Sequence, residues 1–427
     1  MDFKNKKLLI LGGAYQHIKI VKAAKELGIK TYVTDFLPIE KSPAKQIADV
    51  PLMYNITDID NLIEFCKQEH IDGVIGPYLD VTQIPCLKIC EKLGLPCFGT
   101  PDQHDILTNK LRFKEFCKEH GADIIESYTP EDVLNHPEKV NFPILVKPSD
   151  SRGSRGQTIC YNKQDVAYAI EQAKTFSNSG GIIIEKYMSK SDDIQLVYMV
   201  INKKPVLVRV EDRYTGSHDG HFNKLCIATI DPSKNDVKYR RNCDEKVKSM
   251  IKSIGLTNSP VFIQAFIDGD TARLYDPGIR FPGDDFDDLY KVITGIDIPK
   301  MLVEFSLTGN FSEDFAEKIK NARLNKPAAM ILPCLKPGKI KKILGYNELK
   351  QNKKVISCSK SYDAGDEVLE TRDVRQRFGE FCIVCENMQD LKNTIDEIFN
   401  KLEVLDETGQ NMLIEKFNTN TLKEYES

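Results

Sequence analysis

The sequence predicts an α/β protein of several domains: a parallel sheet with helices on both faces, then a β-rich region, then an α+β region. Three observations carry this expectation. The chain has 427 residues, too many for one ordinary core. Roughly the first hundred residues alternate strand-like and helix-like segments. Residues 193 to 281 read as mostly β.

The first strand is "KLLILGG", an apolar run that ends in a Gly-Gly turn. "YQHIKIVKAAKELG" follows with Ile18, Val21, Ala24 and Leu27 on one helical stripe and Gly28 as the stop. "KTYVTD" is a strand, "DNLIEFCKQEHI" a helix and "DGVIGPY" a strand. "IPCLKICEKLGLPCFG" reads as a helix and a last short strand. Such βαβ repetition predicts parallel pairing. "TNKLRFKEFCKEHGAD" opens the next region with a helix. Strand, Gly-rich loop and strand follow in "FPILVKPSDSRGSRGQTICY", then the helix "VAYAIEQAKTFS" and the strand "GGIIIEKYM". The β segments are "IQLVYMVINKKPVLVRVED", "LCIATI" and "VFIQAFIDGDTARLYD", the last with a hairpin turn at "DGD". Helices are expected at "DDLYKVITG" and "PKMLVEFSLTG", and "NARLNKP" reads as a linker. The tail has the strands "AAMILPCL", "KIKKILG" and "KKVISCSK" and closes on the helix "MQDLKNTIDEIFNKLEVL".

Hydrophobic residues make up 41% and charged residues 29%, a globular balance. A net charge of -4, with no long basic run, argues against a nucleic-acid partner. No apolar run approaches the ~20 residues of a membrane span, and the start lacks the features of a signal peptide. A cytoplasmic protein is expected, with its 12 cysteines as reduced thiols. Cys382 and Cys385 have CxxC spacing, but strand residues three apart point to opposite faces, so two core thiols are expected there and not a zinc site.

Three segments carry candidate chemistry. "LLILGGAYQ" with Asp35 invites a dinucleotide reading, but G-x-G-x-x-G is incomplete, and a tight strand-to-helix turn fits better. In "LVKPSDSRGSRGQ", Lys147 precedes a loop whose Gly153 and Gly156 let backbone N–H groups turn toward an anion; a solvated hairpin tip fits equally well on these residues alone. In the third, the hairpin around "DGD" brings Gln264 and Asp276 together, two oxygen donors that suit Mg²⁺, with Arg280 four residues on.

In this order and spacing the three segments resemble the ATP-grasp superfamily, over roughly residues 5 to 310. The resemblance implies a Rossmann-like pre-ATP-grasp domain (1–105), an ATP-grasp domain (106–310) with a lid subdomain at about 115–185, and a C-terminal α+β domain (325–427). It implies that Lys110 and Lys147 meet the phosphates, and that the loop with Ser154 and Gly156 covers them. Glu185, Lys186 and Met188 would line the adenine, and Asp193 the ribose. Gln264 and Asp276 would hold Mg²⁺ (or Mn²⁺), and Arg280 would steady an acyl phosphate. The tail, with "KPGKIKKILG" and "RQRFGEF", is similar to that of L-amino acid ligases of the superfamily.

The implied activity is an ATP-dependent carboxylate–amine ligase, with Lys147 and Arg280 as its catalytic residues. A carboxylate becomes an acyl phosphate, and an amine then displaces phosphate. The partners implied are small-molecule carboxylate and amine substrates, and a homodimer is the default assembly. One departure is prominent. The superfamily pattern Glu-x-Asn-x-Arg stands here as Asp276-Pro277-Gly278-Ile279-Arg280. Glycine removes a metal ligand, leaving its place to water or to Asp284 or Asp285, although those aspartates read better as a helix cap. The alternative implied is an ATP-binding protein without ligase activity. In "RVEDRYTGSHDGHFNKL", Arg213, His221 and Lys224 are candidates for a second substrate or phosphate, with His218 read as solvated.

Overall fold

The computed structural model describes residues 2–425 except 151–155, 178, 190, 217–224, 284–285, 372 and 415, together with the backbone but not the side chain of Phe286. Ser154, His218, His221, Lys224, Asp284 and Asp285 therefore lie outside the described residues.

The N-terminal unit is a four-stranded parallel sheet. Lys7–Leu11 pairs with both Lys30–Thr34 and Gly73–Ile75, and Val50–Leu52 extends the edge beyond Lys30–Thr34. Its strands other than Val50–Leu52 are buried on both faces, by the helices His17–Glu26 and Ile298–Thr308 on one side and Ile59–Glu69 and Asp80–Leu93 on the other. The edge strand Val50–Leu52 goes unseen in the sequence because it is three residues long and carries a proline. The short strand expected in "LPCFG" does not form; among the described residues, no strand lies between Ile75 and Ser127. The next helix, Pro101–Thr108, escapes the sequence reading despite a complete capping box from Thr100 and Gln103 with proline at its first position.

The expected lid region is a separate antiparallel sheet: Ser127–Tyr128, Ile182–Lys186, Ile144–Pro148 and Thr158–Cys160 in spatial order, covered by the helix Val166–Thr175. The body of the molecule is an eight-stranded sheet. It runs Thr271–Gly278, Ser259–Asp268, Asp192–Ile201, Lys204–Gly216 and Leu225–Asp231, then Ala328–Ile331, Gly379–Val384 and Val355–Lys360. The last three strands belong to the tail, so one sheet crosses from residues 106–310 into 325–427. The tail adds a small three-stranded sheet of its own, in which Glu403–Asp406 is a strand where the sequence reading continues the helix Met388–Lys401.

Within the β-rich stretch lie two helices that the sequence reading passes over, Asp236–Asn242 and Asp244–Ile254. The second buries Val247, Met250, Ile251 and Ile254 at helical spacing and stops at Gly255, a left-handed cap. These helices and Lys110–Glu119 pack on one face of the large sheet. No helix among the described residues is long and apolar enough to cross a membrane.

Candidate functional site

The strand Ser259–Asp268 organises the site. Phe262, Gln264 and Phe266 alternate with Ile263, Ala265 and Ile267, so they share one face at intervals of about 7 Å. Each opens a row of side chains across neighbouring strands.

The middle row is polar. Gln264 is in register with Asp276 on one side and Gln195 on the other, and Gln195 with Glu211. Gln264 donates to Gln195 at 3.2 Å, and Gln195 donates to Glu211 at 2.5 Å. Glu211 pairs with Arg209 at 2.5 Å, and Arg209 grips Asp231 through two hydrogen bonds of 2.9 and 2.6 Å. The inner end of this row is sealed: Arg209, Glu211 and Asp231 are buried. A buried charge of this kind is tolerated only when paired and hydrogen-bonded, as here. The outer end is open, with the Asp276 carboxylate 38% exposed.

A β-bulge sets the outer end. The hairpin closes at Asp268 opposite Thr271 and runs to Ala265 opposite Leu274, then slips by one residue so that Gln264 faces Asp276. Tyr275 is the extra residue. Without the slip, Tyr275 would oppose Gln264 and Asp276 would turn to the far face. With it, Tyr275 stacks on Phe266 (centroids 4.8 Å apart) while Asp276 joins Gln264.

The third row holds Asp193. Its carboxylate accepts from Tyr275 and from Arg213, each at 2.8 Å. Met188, Asp193, Arg213 and Phe266 line a cavity of about 240 Å³. The C-terminal segment closes on the same region. Tyr425 donates to Asp212, which lines this cavity, and its hydroxyl lies 3.0 Å from that of Tyr214. Burial raises the Asp212 carboxyl to about 6, against the hydrogen bonds that hold it down.

Opposite the middle row stand lysines. Lys110 begins the helix Lys110–Glu119, capped by Asn109, and reaches Asp276 at 3.5 Å. Lys114, one turn on, pairs with Glu185 at 2.7 Å. Lys147 comes from the strand Ile144–Pro148, beside Ile182–Lys186, and pairs with the other oxygen of Glu185. Burial draws Lys147 below the ordinary lysine range; the Glu185 charge opposes this, while Lys110 and Lys114 reinforce it. Glu185 is itself buried, which pushes its carboxyl up, but the charges of Lys147 and Lys114 outweigh this and hold it at about 2. Three ammonium groups thus face two carboxylates, an excess of positive charge suited to a polyanion. Sequence reasoning missed Lys114, although Lys110 and Lys114 share a helix face by their i,i+4 spacing.

The first row, at Phe262, leads to Arg280. The guanidinium lies over the Phe262 ring at 4.5 Å from its centroid. It also donates to Asp80 at 2.6 Å and to the Phe281 carbonyl at 2.8 Å. Asp80 begins the helix that follows the carboxyl end of Gly73–Ile75, where open parallel sheets place ligands. Two residues earlier, Tyr78 holds φ of +70° and donates to Asp287 at 2.7 Å. A bulky residue in that conformation stores about 1–3 kcal/mol. No sequence signal announced Tyr78 or Asp80.

Gly278 sits directly across from Phe262. A Cβ at Gly278 would lie 1.9 Å from a Phe262 ring carbon. The departure from the superfamily pattern is therefore built into the packing: the ring that carries Arg280 occupies the space of a side chain at 278. The hard oxygens of Asp276 and Gln264 suit a divalent cation of the Mg²⁺ kind, which keeps several waters.

The N-terminal turn offers no comparable site. Asp35 is committed to Lys45 (2.7 Å), Ser42 (2.7 Å) and the Leu37 N–H (2.8 Å), and a Cβ at Gly13 would collide with Ser42 and Asp35. Lys186 ends the strand Ile182–Lys186, Met188 follows it, and Gly156 directly precedes the segment leading into Thr158–Cys160.

Residues 109–260 match the family model described as the carbamoyl-phosphate synthase L chain, ATP binding domain, and residues 8–92 the PylC-like N-terminal domain. The L-amino acid ligase of Bacillus licheniformis superposes with a TM-score of 0.79 at 16% identity, covering 95% of this chain and 99% of that one. The fold is ATP-grasp. A second ATP-grasp comparison, the phosphoribosylglycinamide synthetase of Anaerococcus prevotii, gives 0.75 at 20% identity, covering 95% and 100%. The biotin carboxylase domain of a Hydrogenobacter thermophilus 2-oxoglutarate carboxylase, solved with MgADP, ADP and bicarbonate, gives 0.73 at 17%, covering 96% and 91%. Among curated proteins, the carbamoyl phosphate synthase large chain of Clostridium botulinum is 27% identical over 203 residues, 43% of this chain. A formate-dependent phosphoribosylglycinamide formyltransferase of Prochlorococcus marinus is 23% identical over 276 residues, 61% of this chain and 67% of that protein. The chain spans only 19% of the synthase.

Proposed function

We propose that this chain is an ATP-dependent ligase that activates a carboxylate as an acyl phosphate and couples it to an amine, releasing ADP and phosphate. The observation that carries the reading is the order of side chains along one strand. An aromatic and ribose-type acid end (Phe266, Asp193), a cation and lysine centre (Gln264, Asp276, Lys110, Lys147) and a guanidinium (Arg280) follow at two-residue steps. That is the order in which a nucleoside, its phosphates and a carboxylate acceptor would lie.

In this reading Lys110 and Lys147 neutralise the phosphates, and Gly156 belongs to the segment that covers them. Glu185, Lys186 and Met188 line the base. Both Glu185 oxygens already accept from lysines, so its carboxylate does so only through their remaining lone pairs. Asp193 takes the ribose hydroxyls, prealigned by Arg213 and Tyr275. Gln264 and Asp276 would hold Mg²⁺, which would supply charge stabilisation for phosphoryl transfer. Arg280 binds the carboxylate by charge-assisted hydrogen bonds and keeps it in line with the terminal phosphorus. An amine then attacks the activated carbonyl carbon, the C–N bond forms, and phosphate leaves with the C–O bonding pair. Water exclusion by the lid protects the intermediate.

The test is phosphate release from ATP and Mg²⁺ against a panel of carboxylates and amines, with the amide product identified by mass spectrometry. Substrate-dependent release with a matching amide is expected. Tight ATP binding with no stimulated release by any pair would favour the second reading, a nucleotide-binding protein without ligase activity, which the glycine at 278 motivates.

A further inference from the structure

Away from the nucleotide region, the N-terminal unit gathers three thiols. Cys86 and Cys90 lie one turn apart on the helix Asp80–Leu93. That helix stops at Gly94 in a left-handed cap, and the chain turns back to place Cys97 against both. The three sulfurs lie within 4.8 Å of one another, with Cys86 and Cys90 at 4.0 Å. A tetrahedral zinc ion with ~2.3 Å bonds to sulfur spaces its thiolates by ~3.8 Å.

A histidine stands on the Cys97 side of this triangle. His104, on the helix Pro101–Thr108, is 1% exposed and touches the Cys97 thiol. Its Nε2 lies 2.7 Å from the Phe98 carbonyl, the geometry of a donated N–H. That bond fixes the tautomer and leaves a lone pair on the buried Nδ1. A metal-bound imidazole is usually held in this way, its far nitrogen donating to a carbonyl. Cys86, Cys97 and His104 also line one cavity of about 30 Å³, with Cys90 behind them.

We propose that Cys86, Cys90 and Cys97 form a zinc site completed by His104, whose ring closes from Cys97 toward the other two sulfurs when the ion binds, since the three sulfurs alone lie within 4.8 Å of one another. Binding releases three thiol protons to solvent and forms three Zn–S bonds and one Zn–N bond. The complex carries one net negative charge. The ion ties the helix Asp80–Leu93 to the connection and helix that follow. It thereby fixes Asp80, the hydrogen-bond partner of Arg280, at 2.6 Å. The site stands independently of the proposed ligase activity.

The experiment is metal analysis of the full chain purified under reducing conditions, followed by titration of the metal-free chain with Co²⁺. About one zinc per chain is expected, together with an intense thiolate-to-cobalt charge-transfer band that Zn²⁺ abolishes by displacement. The Cys86→Ser, Cys90→Ser, Cys97→Ser triple variant loses the band. His104→Ala weakens Co²⁺ binding at least about tenfold. Cys382→Ala, at the CxxC pair, leaves both unchanged. No charge-transfer band from the wild-type chain overturns the proposal, whatever the variants do. So does a band retained in the triple variant, which would place the thiolate ligands elsewhere.

Discussion

Gly278→Ala is a one-carbon change with a calculable effect. The new Cβ would meet Phe262 ring carbons at 1.9, 2.7 and 2.8 Å. Comfortable carbon contacts lie at about 3.5–4.0 Å, so the ring must retreat by about 1.5 Å. Phe262 is 4% exposed and packs in the core beneath the sheet. Overpacking of this kind costs about 1–3 kcal/mol. Retreat also withdraws the face on which Arg280 rests, a contact worth about 0.5–2 kcal/mol. The expected outcome is a loss of about 1–3 kcal/mol in urea-induced unfolding. Phe262→Leu in the same chain vacates part of the ring's space, so the double variant should recover stability relative to the sum of the two single changes. Coupling of at least about 0.5 kcal/mol in that cycle is the signature. A neutral Gly278→Ala, or strictly additive changes, would refute the claim that Phe262 excludes a side chain at 278.

Other perturbations test the remaining contacts. Lys147→Ala removes a buried ammonium from the anion-facing cluster and should weaken ADP binding at least about tenfold by calorimetry, with ATP turnover abolished. Unchanged binding would remove Lys147 from the site. Asp276→Asn should raise the half-saturating Mg²⁺ concentration for turnover about tenfold, and an unaltered Mg²⁺ dependence would count against it as a ligand. Glu185→Gln strands Lys114 and Lys147 without their shared counter-ion and should cost about 3–5 kcal/mol at neutral pH. Because the Glu185 carboxyl is held at about 2 in the fold against 4.5 ordinarily, its stabilisation is full above about 4.5 and lost as pH falls through about 2. The urea-stability gap between wild type and variant should close across that window, and a pH-independent gap would refute the pairing.

The legible parts of this molecule were those with local periodicity. The parallel N-terminal unit follows from apolar runs alternating with amphipathic helices, and the central hairpin from "DGD" between two strand patterns. What escaped depended on register or on distance in sequence. Asp276 was legible as a neighbour of Gln264, but the bulge at Tyr275 that puts both on one face was not, since a bulge leaves composition unchanged. Gln195, Arg209 and Glu211 read as interruptions in apolar strands. Only pairing across three strands turns them into one row. Arg280 was found by its spacing from Asp276, yet Asp80 lies two hundred residues away in sequence and no local pattern links them. The cysteines show both outcomes. The CxxC pair divides between two clusters of the core, as strand geometry requires. The triad at Cys86, Cys90 and Cys97 had i,i+4 spacing followed by a glycine stop, a signal that was present but hidden among twelve scattered thiols.

The glycine at 278 changes how the metal question should be put. In a strand pair, one position can either present a ligand or make room for what lies across from it. Here Phe262 and Gly278 are directly opposed, and the ring fills the space of the missing side chain. The ring is positioned by the same alternation that places Gln264 and Phe266 on the site face, so restoring asparagine at 278 cannot be a local repair. It would compete with the support of Arg280. In the proposed function, a weaker cation site and a firmly held guanidinium are therefore two consequences of one packing choice. The Gln264–Gln195–Glu211 chain runs from the open end of the row into a sealed ion cluster. It fixes the Gln264 amide so that Nε2 is spent on Gln195 and its carbonyl oxygen is left to face outward beside Asp276. With one ligand lost at 278, orientation of the amide at 264 takes on more of the burden, and Gln195→Ala should loosen Mg²⁺ dependence without touching a single proposed ligand.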